Sequence, residues 1–464
     1  MLQSVFRSTL IAALLHGAAT LPGSAQAGDW YSDVIQVMVD GAPLDIADGR
    51  ESITAELSPF DSAGHAAPEV YDWNQDGLPD LLVGGFSGQV RVYLNEGTAR
   101  VPIYSGYDWI RTKSGSIARV YNYCCIPTGI QVADLNEDGV ADVTMGAYAP
   151  AGIFWFKGLD EGLEPRQTLT EGSGFPVLAD LPTIAGDNMN MRGSLGTKVA
   201  WMDWNDDGTL DVVMGTAVSG ALVVRLNHGP RDNGLTVIPD QPLFGPYSGF
   251  NGQLDVFDFI EDRGVALRDQ KKLVPEAADW DGDGLVDILV GVENGAVYWL
   301  RNIGELGEPF FAAPDILIPP LGYQAAVAPR ILLKEDETVG RGSRVSIDVA
   351  DYNDDGKLDL LVGDWSRTIK ARSDLTEAER RRFEEVQQAL VELDQAGGMK
   401  GPPEPFRDRR FEEFSFAPNS EQGFDLRTLE TELWTFLELV NPGREGDWPG
   451  YTRNHGHVWV YLRK

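Results

Sequence analysis

Residues 279–291 read DWDGDGLVDILVG: aspartates on alternate positions, a glycine, then an apolar run. The same pattern returns without gaps at 72–84 (DWNQDGLPDLLVG), 134–146 (DLNEDGVADVTMG), 203–215 (DWNDDGTLDVVMG) and 351–363 (DYNDDGKLDLLVG). Their starts lie 62, 69, 76 and 72 residues apart. A near-fixed period of this kind sets architecture before any single residue does.

Around each copy the composition alternates with a period of two. A run such as SRVSIDVAD (343–351) precedes the loop, and a small-residue turn with a second run follows, as in GFSGQVRVYLN (85–95), TAVSGALVVRLN (216–227) and VENGAVYWLRN (292–302). These are strand and hairpin signals. The unit is therefore strand, acidic loop, strand, turn, strand, with a fourth strand expected from looser stretches such as GEPFFAAPDIL (307–317). Four-stranded sheets repeated along a chain predict an all-β protein, a β-propeller. Each interval holds one blade and not two, so five blades are expected, with six as the alternative. The chain ends on HGHVWVYLRK, which matches a third strand, and YSDVIQVMVD (31–40) or ESITAEL (51–57) is expected to supply the missing fourth and close the ring.

The last unit is split. Its second strand is expected to end near Ser366, while its hairpin partner begins only at His457. The intervening residues, 367–454, contain LTEAERRRFEEVQQALVELD (375–394), with a capping box at Thr376 and Glu379, and DLRTLETELWTFLELVNPG (425–443), with a stop at Asn441-Pro442-Gly443. Their spacing predicts an α-helical hairpin inserted in the last blade.

The loops carry the chemistry. Position 1 is Asp72, Asp134, Asp203, Asp279 and Asp351; position 3 is Asn74, Asn136, Asn205, Asp281 and Asn353; position 5 is Asp76, Asp138, Asp207, Asp283 and Asp355. Glycine follows at position 6, and position 9, expected to close the metal cage, is Asp80, Asp142, Asp211, Asp287 and Asp359. Short oxygen-bearing side chains on alternate residues suit Ca2+, which takes six to eight hard oxygens. Position 7 (Leu78, Val140, Thr209, Leu285, Lys357) would add a backbone carbonyl, so its side chain varies. An EF-hand needs a bidentate glutamate at position 12, and here those residues are Val83, Met145, Met214, Val290 and Val362 within strand runs. Up to five structural calcium clips are expected rather than helix-opening sensors, the alternative being plain Asp/Asn/Gly turns. The fourth loop, richest in carboxylates, is expected to bind most tightly.

D-x-[DN]-x-D-G-x-x-D followed by a strand and a glycine turn resembles the FG-GAP, or VCBS, repeat family. The resemblance covers residues 28–464 apart from the insertion, and implies a calcium-bearing propeller similar in architecture to integrin heads and some lectins. It implies no single activity. Two departures are the long spacing and the split last unit.

The rest of the chain bounds function. Its 464 residues carry a formal charge of −33, to which the loop carboxylates contribute about half, so nucleic acid and anionic membranes are poor partners. Residues 1–27 read as a signal peptide, with Arg7, an apolar run and PGSAQA before Gly28, which predicts export to the periplasm, cell surface or medium. No later run is long and apolar enough to span a membrane. Cys124 and Cys125 are adjacent and form either a strained vicinal disulfide or two thiols. Trp73, Trp204, Trp280 and Tyr352 recur at loop position 2, which argues blade packing. Hydrolase, zinc-protease, P-loop and dinucleotide motifs are absent, and the His455–His457 pair aligns with an ordinary hairpin turn. The expected function is a non-catalytic binding or scaffold protein, of adhesion type, for a protein or glycan ligand at the envelope, with the insertion as docking element. A lectin or a polysaccharide-degrading enzyme on the same ring is the alternative.

Overall fold

The computed structural model describes residues 30–46, 64–120, 127–148, 151–169, 183–185, 188–190, 198–216, 220–227, 253–268, 270–321, 330–331, 340–371, 376–377, 381 and 450–464. They form five blades, each built on four antiparallel strands, which follow one another in sequence in blades 1 to 4. Blade 1 is Ala67–Tyr71, Asp80–Gly84, Val90–Tyr93 and Asp108–Trp109. Blade 2 is Ile130–Ala133, Asp142–Tyr148, Ala151–Phe156 and Gln167–Thr168. Blade 3 is Val199–Met202, Asp211–Gly215, Leu222–Arg225 and Gln253–Asp255. Blade 4 is Val274–Ala278, Asp287–Gly291, Val297–Leu300 and Asp315–Ile318.

Blade 5 closes the ring. Its first three strands are Ser343–Ala350, Asp359–Ala371 and Val458–Arg463, and its fourth is Tyr31–Gln36 from the other end of the chain. Ile35 pairs with Val460, which pairs in turn with Leu361. Of the two expected donors, YSDVIQ supplies the strand. Five blades, not six, complete the circle.

Each pair of adjacent blades shares one hydrophobic core. Blades 1 and 2 bury Val92, Ile110, Ile130 and Phe156 together, blades 4 and 5 bury Leu289, Trp299, Ile347 and Trp459, and blades 5 and 1 bury Leu81, Tyr93, Leu361 and Val460. The loop position 2 residue joins its blade to the next: Trp73 packs into the core of blades 1 and 2, Leu135 into 2 and 3, Trp204 into 3 and 4, Trp280 into 4 and 5, and Tyr352 into 5 and 1. The repeated glycine that ends the second strand has a steric role. A Cβ at Gly84 would stand 1.9 Å from the carbonyl oxygen of Thr128, and one at Gly363 2.2 Å from that of Ala66. Neighbouring blades approach backbone to backbone at those points.

The split in blade 5 differs from expectation at its edges. The second strand runs past Ser366 to Ala371 and pairs with Gly450–His455, so residues 367–371 and 450–454, expected in the insertion, form a β-ribbon. Ile369 pairs with Thr452, and Thr368 and Tyr451 stand beside them in the two strands, β-branched and aromatic residues that suit a strand. The segments expected to form the helical hairpin lie outside the described residues, apart from Thr376, Glu377 and Arg381. Residues 1–27, Cys124 and Cys125 also lie outside them. Among the described residues no helix is long and apolar enough to cross a membrane.

Candidate metal centres

Every acidic loop links a blade's inner strand to its second strand. Because all blades repeat one strand order and each position 2 side chain leans on the next blade, the five loops emerge at the same end of the ring. Their folds coincide in detail. In the first, Asp72 accepts from the backbone N–H of Asp76 (Oδ1, 3.0 Å) and of Gly77 (Oδ2, 2.9 Å), Asn74 Oδ1 accepts from Asp76 N–H at 3.0 Å, and Asp76 Oδ1 accepts from Leu78 N–H at 2.9 Å. The position 1 carboxylate holds the same two N–H groups in the other four loops. The chain turns so tightly that positions 4 and 6 both take positive φ: Gln75 at 60° and Gly77 at 88°, Glu137 at 57° and Gly139 at 85°. Four of the five position 4 residues are non-glycine in a left-handed conformation, which costs energy that the side-chain hydrogen bonds offset.

This geometry turns positions 1, 3 and 5 toward one point. In the fourth loop one carboxylate oxygen of each of Asp279, Asp281 and Asp283 lies within 4.8 Å of the other two. An all-oxygen set of this size and charge fits Ca2+. Basic side chains already lean on two loops: Lys157 Nζ stands 2.7 Å from Asp138 Oδ2, and Arg301 Nε stands 2.8 Å from Asp281 Oδ2. Lys157 holds the Asp138 carboxyl below the usual range, chiefly through that hydrogen bond.

Position 9 has a second role that the pattern did not disclose. Asp80 is fully buried; its Oδ2 accepts from Trp73 N–H at 2.9 Å and its Oδ1 from Asn95 N–H at 2.7 Å. The same bracket ties Leu135 and Gly158 to Asp142, Trp204 and Asn227 to Asp211, Trp280 and Asn302 to Asp287, and Tyr352 and Arg463 to Asp359. One carboxylate thus fastens the loop entrance to the end of the third strand. A sequence signal exists for it: Asn-x-Gly at 95–97, 227–229 and 302–304, following position 9 at near-constant distance. Burial, opposed by these N–H groups, pushes Asp211 up to about 7 and Asp287 and Asp359 up to about 6.

A second charged cluster lies on the ring axis. The residue three before each loop's first aspartate is Glu69, Gln131, Ala200, Glu276 or Asp348. Ala200 leaves room, and Lys198, two residues earlier, fills it. The buried Lys198 Nζ lies 2.9 Å from Glu69 Oε2, 2.8 Å from Glu276 Oε2 and 3.1 Å from Asp348 Oδ1, and donates to the carbonyl of Ile347 at 2.7 Å. Gln131 Nε2 donates to both oxygens of Glu276, Val132 N–H to Glu69, and Val70 N–H to Asp348. All five blades meet in this network. Burial alone would lower the Lys198 pKa, but the three carboxylates outweigh it and hold it well above its ordinary value, while burial raises Glu69 and Glu276. The three acids could hold a metal by geometry, and the lysine ammonium occupies that place.

Fold and loops together define a five-bladed β-propeller with an acidic loop in every blade. The chain carries FG-GAP-like repeats: that family's model matches residues 72–145 and 279–362, which contain the loops of blades 1, 2, 4 and 5. The loop of blade 3, outside both stretches, has the same hydrogen-bond pattern. A comparison with curated proteins finds no match.

Proposed function

We propose that the chain is an exported, calcium-stabilised propeller that serves as a non-catalytic binding or scaffold protein at the cell envelope or outside the cell. The observation that carries the calcium reading is the convergence of Asp279, Asp281 and Asp283 in a loop whose turn is repeated in every blade. In each loop positions 1, 3 and 5 would hold the ion by their side chains and position 7 by its carbonyl, while position 9 keeps the cage registered on the blade. Without a cation, carboxylates this close repel one another and weaken the fold. The apolar signal-like stretch at 1–27 supports export, and the acidic surface favours partners other than nucleic acid. The segment carried between the two ribbon strands interrupts the repeat of blade 5, and we assign it the docking of a protein or glycan partner.

Thermal unfolding of the mature chain in millimolar calcium and in chelator tests the reading. A ligand at a hundred times its Kd stabilises by about 2.7 kcal/mol per site, so several occupied loops raise the melting temperature by many degrees. Identical melting curves in the two buffers would refute it.

A further inference from the structure

The chain has five histidines, and three of them, His65, His455 and His457, meet at the end of blade 5 away from its acidic loop. His455 and His457 flank Gly456, where the ribbon ends and the third strand begins, and their rings stack nearly parallel with centroids 5.6 Å apart. Asp45, on the segment that follows the ring-closing strand, places Oδ2 at 2.8 Å from His455 Nδ1. One donor atom from each of Asp45, His455 and His457 falls within 4.8 Å of the other two. We propose that these three residues form a site for one divalent transition ion of the zinc or cobalt class, separate from the acidic loops.

The surroundings are those of a supported site. Asp364, fully buried, accepts from the backbone N–H of His457 with Oδ1 at 3.0 Å, lies 3.7 Å from His457 Nδ1, and accepts from Trp459 Nε1 with Oδ2 at 2.9 Å. This buried carboxylate anchors the His457 main chain and so fixes where the residue sits, while 3.7 Å is too long for a hydrogen bond to the ring nitrogen. His65 forms the adjoining wall: its backbone nitrogen is 2.7 Å from where a Cβ on Gly456 would sit, so glycine is required for the approach, and its ring stacks on Trp365. The two histidine side chains are 9% and 4% exposed and that of Asp45 is 22% exposed, which leaves an entry path on the carboxylate side.

The donor set decides the ion. Two imidazoles and one carboxylate suit Zn2+, Co2+ or Ni2+, whereas Ca2+ takes oxygen ligands. The propeller thereby holds hard ions at one end and a borderline ion at the other.

Titration of the mature chain with Zn2+ in excess calcium, which keeps the loops filled, tests the site. One equivalent bound, with X-ray absorption fine structure showing two imidazoles, is the expected result. His455→Ala and His457→Ala each reduce affinity at least about 100-fold, and Asp45→Asn reduces it less. No zinc bound above the calcium background, or an all-oxygen zinc environment, would overturn the proposal. The absorption measurement uses the unaltered chain and so stands even where a variant fails to fold. If the variants melt as the parent does and bind zinc equally well, the cluster is only a hydrogen-bonded tie between the ribbon and the N-terminal segment. Failure of the calcium reading leaves this outcome untouched, because no loop residue takes part.

Discussion

Asp281 is the one acid at a loop position where the other repeats have asparagine, and on the proposed calcium reading charge counting alone would make its loop the strongest site. The structure adds an opposing term, because Arg301 Nε lies 2.8 Å from Asp281 Oδ2 and its Nη2 lies 3.9 Å from Asp283 Oδ2. A cation entering the cage must displace a half-exposed ion pair worth up to about 1 kcal/mol. Arg301→Gln should therefore raise calcium affinity of that loop about two- to fivefold, and Asp281→Asn should lower it with the fold intact. Calcium calorimetry on the two variants checks both signs. The position 9 aspartates make a pH prediction. Their folded pKa values, about 7 for Asp211 and about 6 for Asp287 and Asp359, exceed the unfolded value near 4, so the folded state binds protons more tightly. Calcium-free protein should lose stability as pH rises from about 4 to 7, and added calcium should remove that loss at the upper end. Urea unfolding in chelator at several pH values in this window measures it; stability that rises across the window would contradict the assignment.

At the scale of elements, the ring depends on its closing strand. Tyr31–Gln36 covers the edge of Val458–Arg463, which otherwise presents unpaired backbone groups beside a hydrophobic core containing Trp459 and Tyr461. Removing residues 30–36 should cause concentration-dependent aggregation and a lower melting temperature, read by size-exclusion chromatography and calorimetry. Deleting 372–449, which lie beyond the β-ribbon, should change melting little, because the ribbon strands Ser366–Ala371 and Gly450–His455 pair with each other. The contrast separates a strand that completes a blade from a segment that a blade merely carries.

For the whole molecule, the axial lysine is the centre of the network that links blades across the ring and not only to their neighbours. Lys198 leaves blade 3 and reaches acids on blades 1, 4 and 5. Lys198→Met should cost about 3–5 kcal/mol, since three acids would be left without their counter-charge. Adding Glu69→Gln and Asp348→Asn to that variant should restore much of the loss, because neutral amides do not repel. Equilibrium denaturation of the single and triple variants in calcium decides this.

Repetition made the fold legible. Five gapless copies of one loop, strand alternation on either side and a terminal half-blade lead to five sheets and ring closure without any coordinates, since each blade is encoded by contacts near in sequence. The shared turn of the loops was legible for the same reason: the acids of one loop lie within nine residues, as at Asp279–Asp287. The axial network was not, because Glu69, Lys198, Glu276 and Asp348 are brought together only by closing the circle, and the small Ala200 matters only once a lysine must pass it. The same holds for Asp45 beside His455 and His457. HGH, read as a hairpin turn, is instead a short break between two strands that both pair along Asp359–Ala371, and its neighbour is a carboxylate 410 residues away that ring closure places at 2.8 Å.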